Sequence, residues 1–247
     1  YPPSIRLVGD KKRFRLHYQN YKEYMKVVFL GYRPWALKSF NFIKNHQKIE
    51  SFRIIKSNDE LSKINLKEWD LLITLGWSDE LGEKIASDIL AIGLHCAELD
   101  RYSYGTPIQL QIIDGITMTK HRIFPFKYIK DSERAHTHTR EFSHEVDLSL
   151  LGGIDNIFGE LTSTSNELLT QFLDDFPHIE WKLWPEENIK RKKRTPRDSK
   201  LSKKDLISLS ARELYNFIRC LEDPYPNAYI EDETGRMLLK KVTLNKE

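Results

Sequence analysis

Four short apolar runs, separated by polar or helical segments, dominate the first hundred residues. They are MKVVFLGY (25–32), SFRII (51–55), WDLLITLGW (69–77) and ILAIGLHC (89–96). Short runs rich in β-branched and aromatic residues are typical of strands, and nearly continuous apolar runs indicate strands buried on both faces. Helical spacing occurs between them, in RPWALKSFNFIKN (33–45) and DELGEKIASDI (79–89). This alternation predicts an α/β fold with an open, Rossmann-like, mostly parallel sheet.

After Gly115 the pattern changes to period-two alternation, which predicts extended chain in residues 116–126 and 134–150. Residues 154–176 return to helical spacing, whereas residues 177–200 are polar without a period and predict a loop or linker. A capping box formed by Ser210 and Glu213 then opens an amphipathic helix, and two strands about a Thr-Gly turn follow it. The chain is therefore expected to end in a small helix plus β-hairpin appendage.

The first 24 residues have a different character from the apolar runs that follow. They contain a hairpin pattern that turns at Gly9-Asp10, and they form either an N-terminal extension or the tail of a preceding domain. We expect the main α/β domain to cover residues 25–185, and a linker with the helix–hairpin subdomain to cover residues 186–247.

Composition excludes several classes of protein. A net charge of +3 in 247 residues is too small to indicate a nucleic-acid-binding protein, and the basic residues concentrate in KRKKRTPR (190–197). No run approaches the roughly 18 apolar residues of a membrane span. The two cysteines, Cys96 and Cys220, have no paired spacing, which favours a reducing compartment. We therefore expect a cytoplasmic protein with no nucleic-acid partner and no membrane span.

The candidate chemistry lies where two of the apolar runs end. Gly76-Trp77 ends the third run, and His95 ends the fourth, shortly before the segment GTPIQLQIIDG (105–115). Ligands of open α/β sheets bind beyond the carboxyl ends of the strands. A histidine at such an end either completes the packing or carries chemistry, and a pocket is expected to begin here.

GTPIQLQIIDG, with the histidine before it, resembles a signature of the formyltransferases that use 10-formyltetrahydrofolate. Other segments are similar to the same family in the same order: VVFLGYRPWAL, LLITLGW, LHCAELDRYSYGTPIQ, RTPRDSKL and SARELYNFIRCLEDPYPNAY. Among its branches, FLGYRPWAL, GWS and RTPRDS most resemble the nucleotide-amino-sugar N-formyltransferases. The resemblance implies a cytoplasmic, homodimeric transferase that moves a formyl group from 10-formyltetrahydrofolate to the amino group of a nucleotide-linked amino sugar. Such products serve cell-surface glycans such as the lipopolysaccharide O-antigen.

The resemblance also implies site residues. Formyl transfer to an amine needs a group that takes the amine proton and donors for the developing oxyanion. The family histidine matches His95, and spacing places the family aspartate at Asp131, where it would hold the imidazole. The folate-binding residues implied are Gly76, Trp77, Gly93 and Asp131. The substrate-binding residues implied are Tyr104, Gly105, Gln109 and Arg194.

The sequence departs from the family two residues before the histidine, where Gly93 replaces an asparagine. Losing one oxyanion donor typically lowers the rate by about 10² to 10³. Either another donor takes over, such as a backbone N–H, a water or Gln109, or the chain is slow or inactive. The alternative function is a catalytically degenerate formyltransferase-like domain that binds a ligand or partner.

Four further patterns have competing interpretations. His136, His138 and His144 fall on one face of a predicted strand, but Arg140 on that face would repel a cation, so we expect no metal site. Cys96 adjoins His95 but points to the opposite strand face, which disfavours a Cys–His nucleophile. In the basic segment, Arg194 either approaches a diphosphate or lies in a solvated linker. Just before that segment, Trp181 and Trp184 either stack on a base or pack in the core or an interface.

Overall fold

The computed structural model describes residues 13–15, 24–78, 89–97, 99–102, 106–127, 137–138, 141–183, 192 and 194–245. The expected N-terminal hairpin (apart from a strand at 13–15) and the helix expected over 79–89 (apart from its last residue) lie outside these residues. In the described part of the chain, no helix combines the length and apolarity needed to cross a membrane.

The described residues form twelve strands and seven α-helices. The strands are β1 (Arg13–Arg15), β2 (Met25–Leu30), β3 (Ile49–Ile55), β4 (Leu71–Thr74), β5 (Leu90–His95), β6 (Met118–Lys127), β7 (Thr137–His138), β8 (Glu141–Phe142), β9 (Glu145–Ser149), β10 (Glu180–Leu183), β11 (Ala228–Asp232) and β12 (Gly235–Leu239). The helices are α1 (Pro34–Ile43), α2 (Asn58–Ser62), α3 (Leu99–Tyr102), α4 (Pro107–Ile113), α5 (Ile154–Asp175), α6 (Lys203–Ser208) and α7 (Ala211–Arg219).

The main sheet has the strand order β3-β2-β4-β5-β6-β7, and β9 also pairs with β6. Strands β3, β2, β4 and β5 run parallel, whereas β6 runs antiparallel to β5. Each of the four apolar runs of the sequence coincides with one of the parallel strands, although β3 begins two residues before its run. The prediction of an α/β fold with a mostly parallel sheet and a helix–hairpin appendage is confirmed.

One face of this sheet is covered by α1 and α5. Phe40 of α1 and Phe172 of α5 are fully buried in one cluster with the inward side chains of β2 and β4. Burying a large apolar side chain contributes roughly 1.5–3 kcal/mol, so this cluster is a main source of stability. The α5 end of the cluster is held by Lys48, whose Nζ donates to the carbonyls of Leu173, Asp174 and Phe176 at 2.9, 2.6 and 2.9 Å.

The expectation of a loop or linker over 177–200 is wrong for its first part. Residues 180–183 form β10, which pairs antiparallel with β1 and with β8. A strand forms here because the sequence alternates over a few residues. Ile179 and Trp181 point inward and are almost completely buried, with charged residues between and after them. The packing role of Trp181 is confirmed, and Trp184 lies outside the described residues.

The C-terminal elements follow the predicted pattern. Ser210 and Glu213 form the capping box of α7: the Ser210 hydroxyl accepts from the Glu213 N–H at 3.3 Å, and the Glu213 carboxylate accepts from the Ser210 N–H at 2.8 Å. Strands β11 and β12 pair antiparallel about a turn that ends at Gly235, whose φ is 144°. A positive φ of this kind favours glycine, which explains the Thr-Gly signal.

The chain divides into two compact units. The first unit comprises Tyr1–His95, His121–Val146 and Leu161–Glu186. The second unit comprises Cys96–Lys120, Asp147–Glu160 and Glu187–Glu247, so the C-terminal segment shares a unit with two segments that precede it in the chain.

Candidate active site

The order of the parallel strands defines a switch point between β2 and β4. The chain leaves β2 to form β3 on one side and later returns to form β4 on the other side. In open α/β sheets, the crevice outside the carboxyl ends of two such strands is the usual ligand site. Gly31 follows β2 and Gly76 follows β4, so both lie at this crevice in the first unit.

Both glycines are required by the backbone at the switch point. A Cβ on Gly31 would collide with the carbonyl oxygen of Leu75. Gly76 has a φ of 66°, and a Cβ there would lie 3.0 Å from that of Ala36. The left-handed conformation of Gly76 disfavours side chains that carry a Cβ. Gly76 therefore shapes the crevice through its backbone.

An aromatic pair lies beside these glycines. The rings of Tyr32 and Trp77 meet edge to face with 5.6 Å between their centroids, and the Arg33 guanidinium lies 5.6 Å from the Tyr32 ring. Arg33 also donates to the Ser78 hydroxyl at 3.0 Å. The Trp77 indole N–H is buried and bonds to no residue that the structure describes. A buried donor of this kind suits a ligand with a planar, acceptor-bearing ring.

His95 occupies the last position of β5, as predicted. In the antiparallel register His95 faces Arg122, and Gly93 faces Phe124. Residues two apart on a strand share a face, so all four side-chain positions lie on one side of the sheet. The His95 imidazole packs edge to face against Phe124, with 6.4 Å between centroids and an interplanar angle of 84°.

Gly93 is kept small by the rings opposite it. A Cβ at position 93 would lie 2.6 Å from Cζ of Phe124 and 2.8 Å from Cε2 of Phe126. The two phenylalanine rings contact each other, with centroids 4.9 Å apart. Phe126 and Trp77 also pack against the same cluster of buried residues from β2, β4 and β5. The space that an asparagine side chain would need at position 93 is therefore filled by aromatic rings.

Arg122 is a charged neighbour of His95 that the sequence argument missed. Cross-strand partners in an antiparallel pair have Cβ atoms about 4.5–5.5 Å apart. Arg122 is only 13% exposed; its Nε donates to the Glu145 carboxylate at 2.8 Å, and its guanidinium lies 5.3 Å from the Phe142 ring. The face of β5 and β6 that carries His95 thus also carries the Arg122 guanidinium, which is paired with the Glu145 carboxylate. Tyr32 and Arg33 were missed too, although their position at the end of the first apolar run was a usable signal.

Several predicted residues lie outside the described part of the chain. These are Asp131, Tyr104 and Gly105, together with His136 among the strand histidines. His144 is described: its Nε2 lies 3.0 Å from the Asp175 carboxylate and its Nδ1 lies 2.9 Å from the Ser143 hydroxyl. No cluster of metal-ligating side chains occurs among the residues that the structure describes.

Helix α4 of the second unit carries two buried glutamines. Gln111 donates to the carbonyls of Cys96 and Pro107 at 2.9 and 3.2 Å, which ties the helix to the residue that follows His95 in the chain. Gln109 is 3% exposed, and its amide nitrogen bonds to no described residue. Thr106 precedes the helix with a φ of 79°, an unusual conformation for threonine. An amide buried without a partner is the kind of group that a substrate could satisfy.

Two other candidates have structural surroundings. Arg194 donates to the Asp198 carbonyl at 2.6 Å and lies 5.3 Å from the Phe217 ring. Hydrogen bonds from Thr195, and more weakly the Arg194 charge, lower the pKa of the Asp198 carboxyl. Burial raises the pKa of the Cys96 thiol to about 12, so the sulfur is protonated and a poor nucleophile at neutral pH. This supports the interpretation that Cys96 does not act with His95.

Comparisons with known proteins support the fold. No family model matches the chain, and no curated protein matches it. Among solved structures, methionyl-tRNA formyltransferase from Clostridium thermocellum is 21% identical with a TM-score of 0.72, over 90% of this chain and 94% of that chain. A sugar N-formyltransferase from Shewanella sp FDAARGOS_354 is 13% identical with a TM-score of 0.68, over 90% and 99%. HypX from Aquifex aeolicus, in complex with tetrahydrofolic acid, is 13% identical with a TM-score of 0.66, over 88% and 38%. The chain has the fold of these proteins over nearly its whole length.

Proposed function

We propose that this protein transfers a formyl group from 10-formyltetrahydrofolate to the amino group of a nucleotide-linked amino sugar. The observation that carries the proposal is the place of His95, at the carboxyl end of β5, in a fold shared with proteins named as formyltransferases. The donor is supported by the tetrahydrofolic acid bound to HypX, and the sugar acceptor by the sugar N-formyltransferase. Cytoplasmic location and a homodimer remain predictions from the sequence.

His95 is assigned the proton transfer. The folate supplies the formyl carbon, and the acceptor amine must lose a proton as it forms the new C–N bond. A neutral imidazole next to the amine can accept that proton and return it to the departing folate nitrogen, which balances the reaction. The Phe124 ring fixes the plane of the imidazole from one side. The role of Asp131 as the residue that holds the His95 imidazole is a prediction from the sequence.

The developing oxyanion needs a donor that position 93 does not provide. Arg122 is the candidate in the first unit, because it places a cation opposite His95 in the sheet register. A cation near the developing charge lowers the barrier without a proton transfer of its own. In the second unit Gln109 remains the predicted substrate contact, together with Tyr104, Gly105 and Arg194.

The planar part of the folate is assigned to the switch-point crevice. The Trp77 indole offers a face and a buried N–H, and the glycines before and beside it keep the backbone open. Trp77 and Gly76 are therefore proposed as folate-contacting residues, with Gly93 supporting the pocket by its lack of a side chain.

The test is formylation of a panel of nucleotide-linked amino sugars with 10-formyltetrahydrofolate, followed by mass spectrometry of the sugar. Time-dependent addition of one formyl group to at least one member supports the proposal. The second candidate is a ligand-binding domain without catalysis, which the filled space above Gly93 favours. Folate binding without formylation of any panel member would select this second candidate.

A further inference from the structure

The second unit contains a cleft that the proposed reaction does not use. It has a volume of about 540 Å³, which is within the range of small-molecule sites. Its lining residues all belong to the second unit: Gly115, Thr117, Leu151, Gly152, Arg212, Tyr215, Asn216, Arg219 and Leu244. The charged side chains of this lining are Arg212 and Arg219, and no carboxylate is among the described residues that line it.

Arg219 is the fixed cation at the floor of the cleft. It is 3% exposed, its Nη1 donates to the carbonyls of Leu150 and Gly152 at 2.6 and 2.8 Å, and its Nε donates to Asn216 at 3.0 Å. These neutral acceptors hold the guanidinium in place without neutralising its charge. The charge of Glu222 also acts on the Arg219 guanidinium, and the Glu222 carboxylate accepts from the N–H of Ile154 at 3.0 Å.

Arg212 is the second cation and lies about two turns before Arg219 on the same helix. Its side chain is exposed and forms no ion pair with any residue that the structure describes. Burial lowers the pKa of Arg219, and the charge of Arg212 acts in the same direction. Tyr215, Cys220 and Glu222 act against this shift. The two guanidinium groups therefore repel each other, and none of the described residues that line the cleft is a carboxylate.

We propose that this cleft binds a phosphorylated small molecule, with the phosphoryl group between Arg212 and Arg219. A phosphoryl dianion matches two positive charges, and guanidinium groups bind its oxygens in a bidentate manner. Tyr215 and Thr117 add hydroxyl groups to the lining, and the 56% exposed side chain of Leu151 offers an apolar wall for the organic part of the ligand. This proposal is independent of formyl transfer, because none of these residues is assigned to that reaction.

The probe is phenyl phosphate, which joins a phosphoryl group to an apolar ring, titrated into the full chain at low salt. Binding is followed by the backbone amide signals of Gly115 and Gly152, which line the cleft. A ligand of this size is expected to bind with a Kd of about 1 mM. Benzoate tests a carboxylate in place of the phosphoryl group, and phenol tests the ring alone.

The deciding variant is Arg212→Gln, since Arg212 is exposed and its replacement leaves the buried contacts of Arg219 intact. We expect the affinity for phenyl phosphate to fall at least about fivefold in Arg212→Gln. Arg212→Lys, which keeps the charge but loses the bidentate fork, should retain only part of the affinity. Arg53→Gln, which removes an equally exposed charge in the first unit, should leave the affinity unchanged. Equal binding of benzoate, unchanged affinity in Arg212→Gln, or no shift of either glycine signal up to about twentyfold above the expected Kd would each overturn the proposal.

Discussion

Gly93 of β5 and Phe124 of β6 face each other across the sheet, and a Cβ on the glycine would lie 2.6 Å from the phenylalanine ring. This relationship gives a packing reason for glycine at position 93. The space is occupied, and the aromatic ring that occupies it also contacts His95. The glycine is therefore part of how this protein packs around its candidate catalytic residue.

Gly93→Asn is expected to destabilise the protein by about 1–3 kcal/mol, because the added side chain must displace the rings of Phe124 and Phe126. Chemical unfolding measures the change in the free energy of unfolding. Adding Phe124→Ala to the same variant should recover part of the loss by vacating the space. Gly159→Asn is the matched control, since a Cβ at Gly159 meets nothing within 4 Å. A Gly93→Asn variant as stable as the control would show that the rings move aside easily.

Trp77→Phe is expected to weaken binding of a stable folate analogue about five- to tenfold, because phenylalanine lacks the indole N–H that donates to the ligand in this proposal. Calorimetry gives the affinity. The control is Trp69→Phe, since Trp69 packs against the same cluster but lies just before β4 rather than after it. Gly76 is a poor probe, because its φ of 66° makes any substitution strain the fold. Equal loss of affinity in both tryptophan variants would contradict a folate contact at Trp77.

His121 predicts a pH dependence of stability. It is 1% exposed, its Nδ1 lies 2.8 Å from the Thr164 hydroxyl, and burial lowers its pKa from 6.5 to about 3. Between these two values the unfolded chain binds one more proton at this residue than the folded chain does. The contribution of the neutral His121 to the free energy of unfolding is therefore complete above about pH 6.5, and it is lost as the pH falls toward 3.

The size of this effect is about 1.4 kcal/mol per pH unit in the middle of that window. The measurement is the free energy of unfolding of the parent chain and of His121→Asn at pH 7, 5.5 and 4.5. The difference between the two should narrow steadily as the pH falls, because the variant has no proton to bind there. Parallel stability curves would mean that His121 titrates at its ordinary value.

Lys48→Met is expected to cost about 1–3 kcal/mol of stability, because three carbonyl groups at the end of α5 lose a charged donor. Thermal unfolding measures this loss of stability. Lys44→Met is the control, since the Lys44 ammonium donates to the exposed side chain of Asn41 at 3.1 Å. A loss no larger than that of the control would show that water replaces the Lys48 ammonium without cost.

The parts of the fold that sequence could predict are those with strong local patterns. Strands β2, β4 and β5 are apolar runs bounded by turns, and the capping box at Ser210 marks the start of α7 directly. Strand β10 was missed because only one of its faces is buried, so that Trp181 stands between charged residues in a polar stretch. Such a one-sided strand is visible only when its partners, β1 and β8, are known.

The positions of the candidate site were also predictable where local sequence patterns mark them. His95 and Gly76-Trp77 could be placed because they end apolar runs, and the carboxyl ends of parallel strands collect at one edge. The need for glycine at position 93 and the charge of Arg122 beside His95 depend on the register with β6, a later strand that runs in the opposite direction. No local pattern encodes that register, so these two features emerged only from the structure.

The central claim is that His95 carries the proton transfer of a formyl-transfer reaction. The most direct measurement compares the rate of formyl transfer by the parent chain and by His95→Asn, with 10-formyltetrahydrofolate and the best acceptor of the panel, after unfolding curves have shown equal stability. We predict that the kcat of the variant falls by at least about 10²-fold while its affinity for a folate analogue changes little. A variant that keeps a near-normal kcat would contradict the claim and remove His95 from the mechanism.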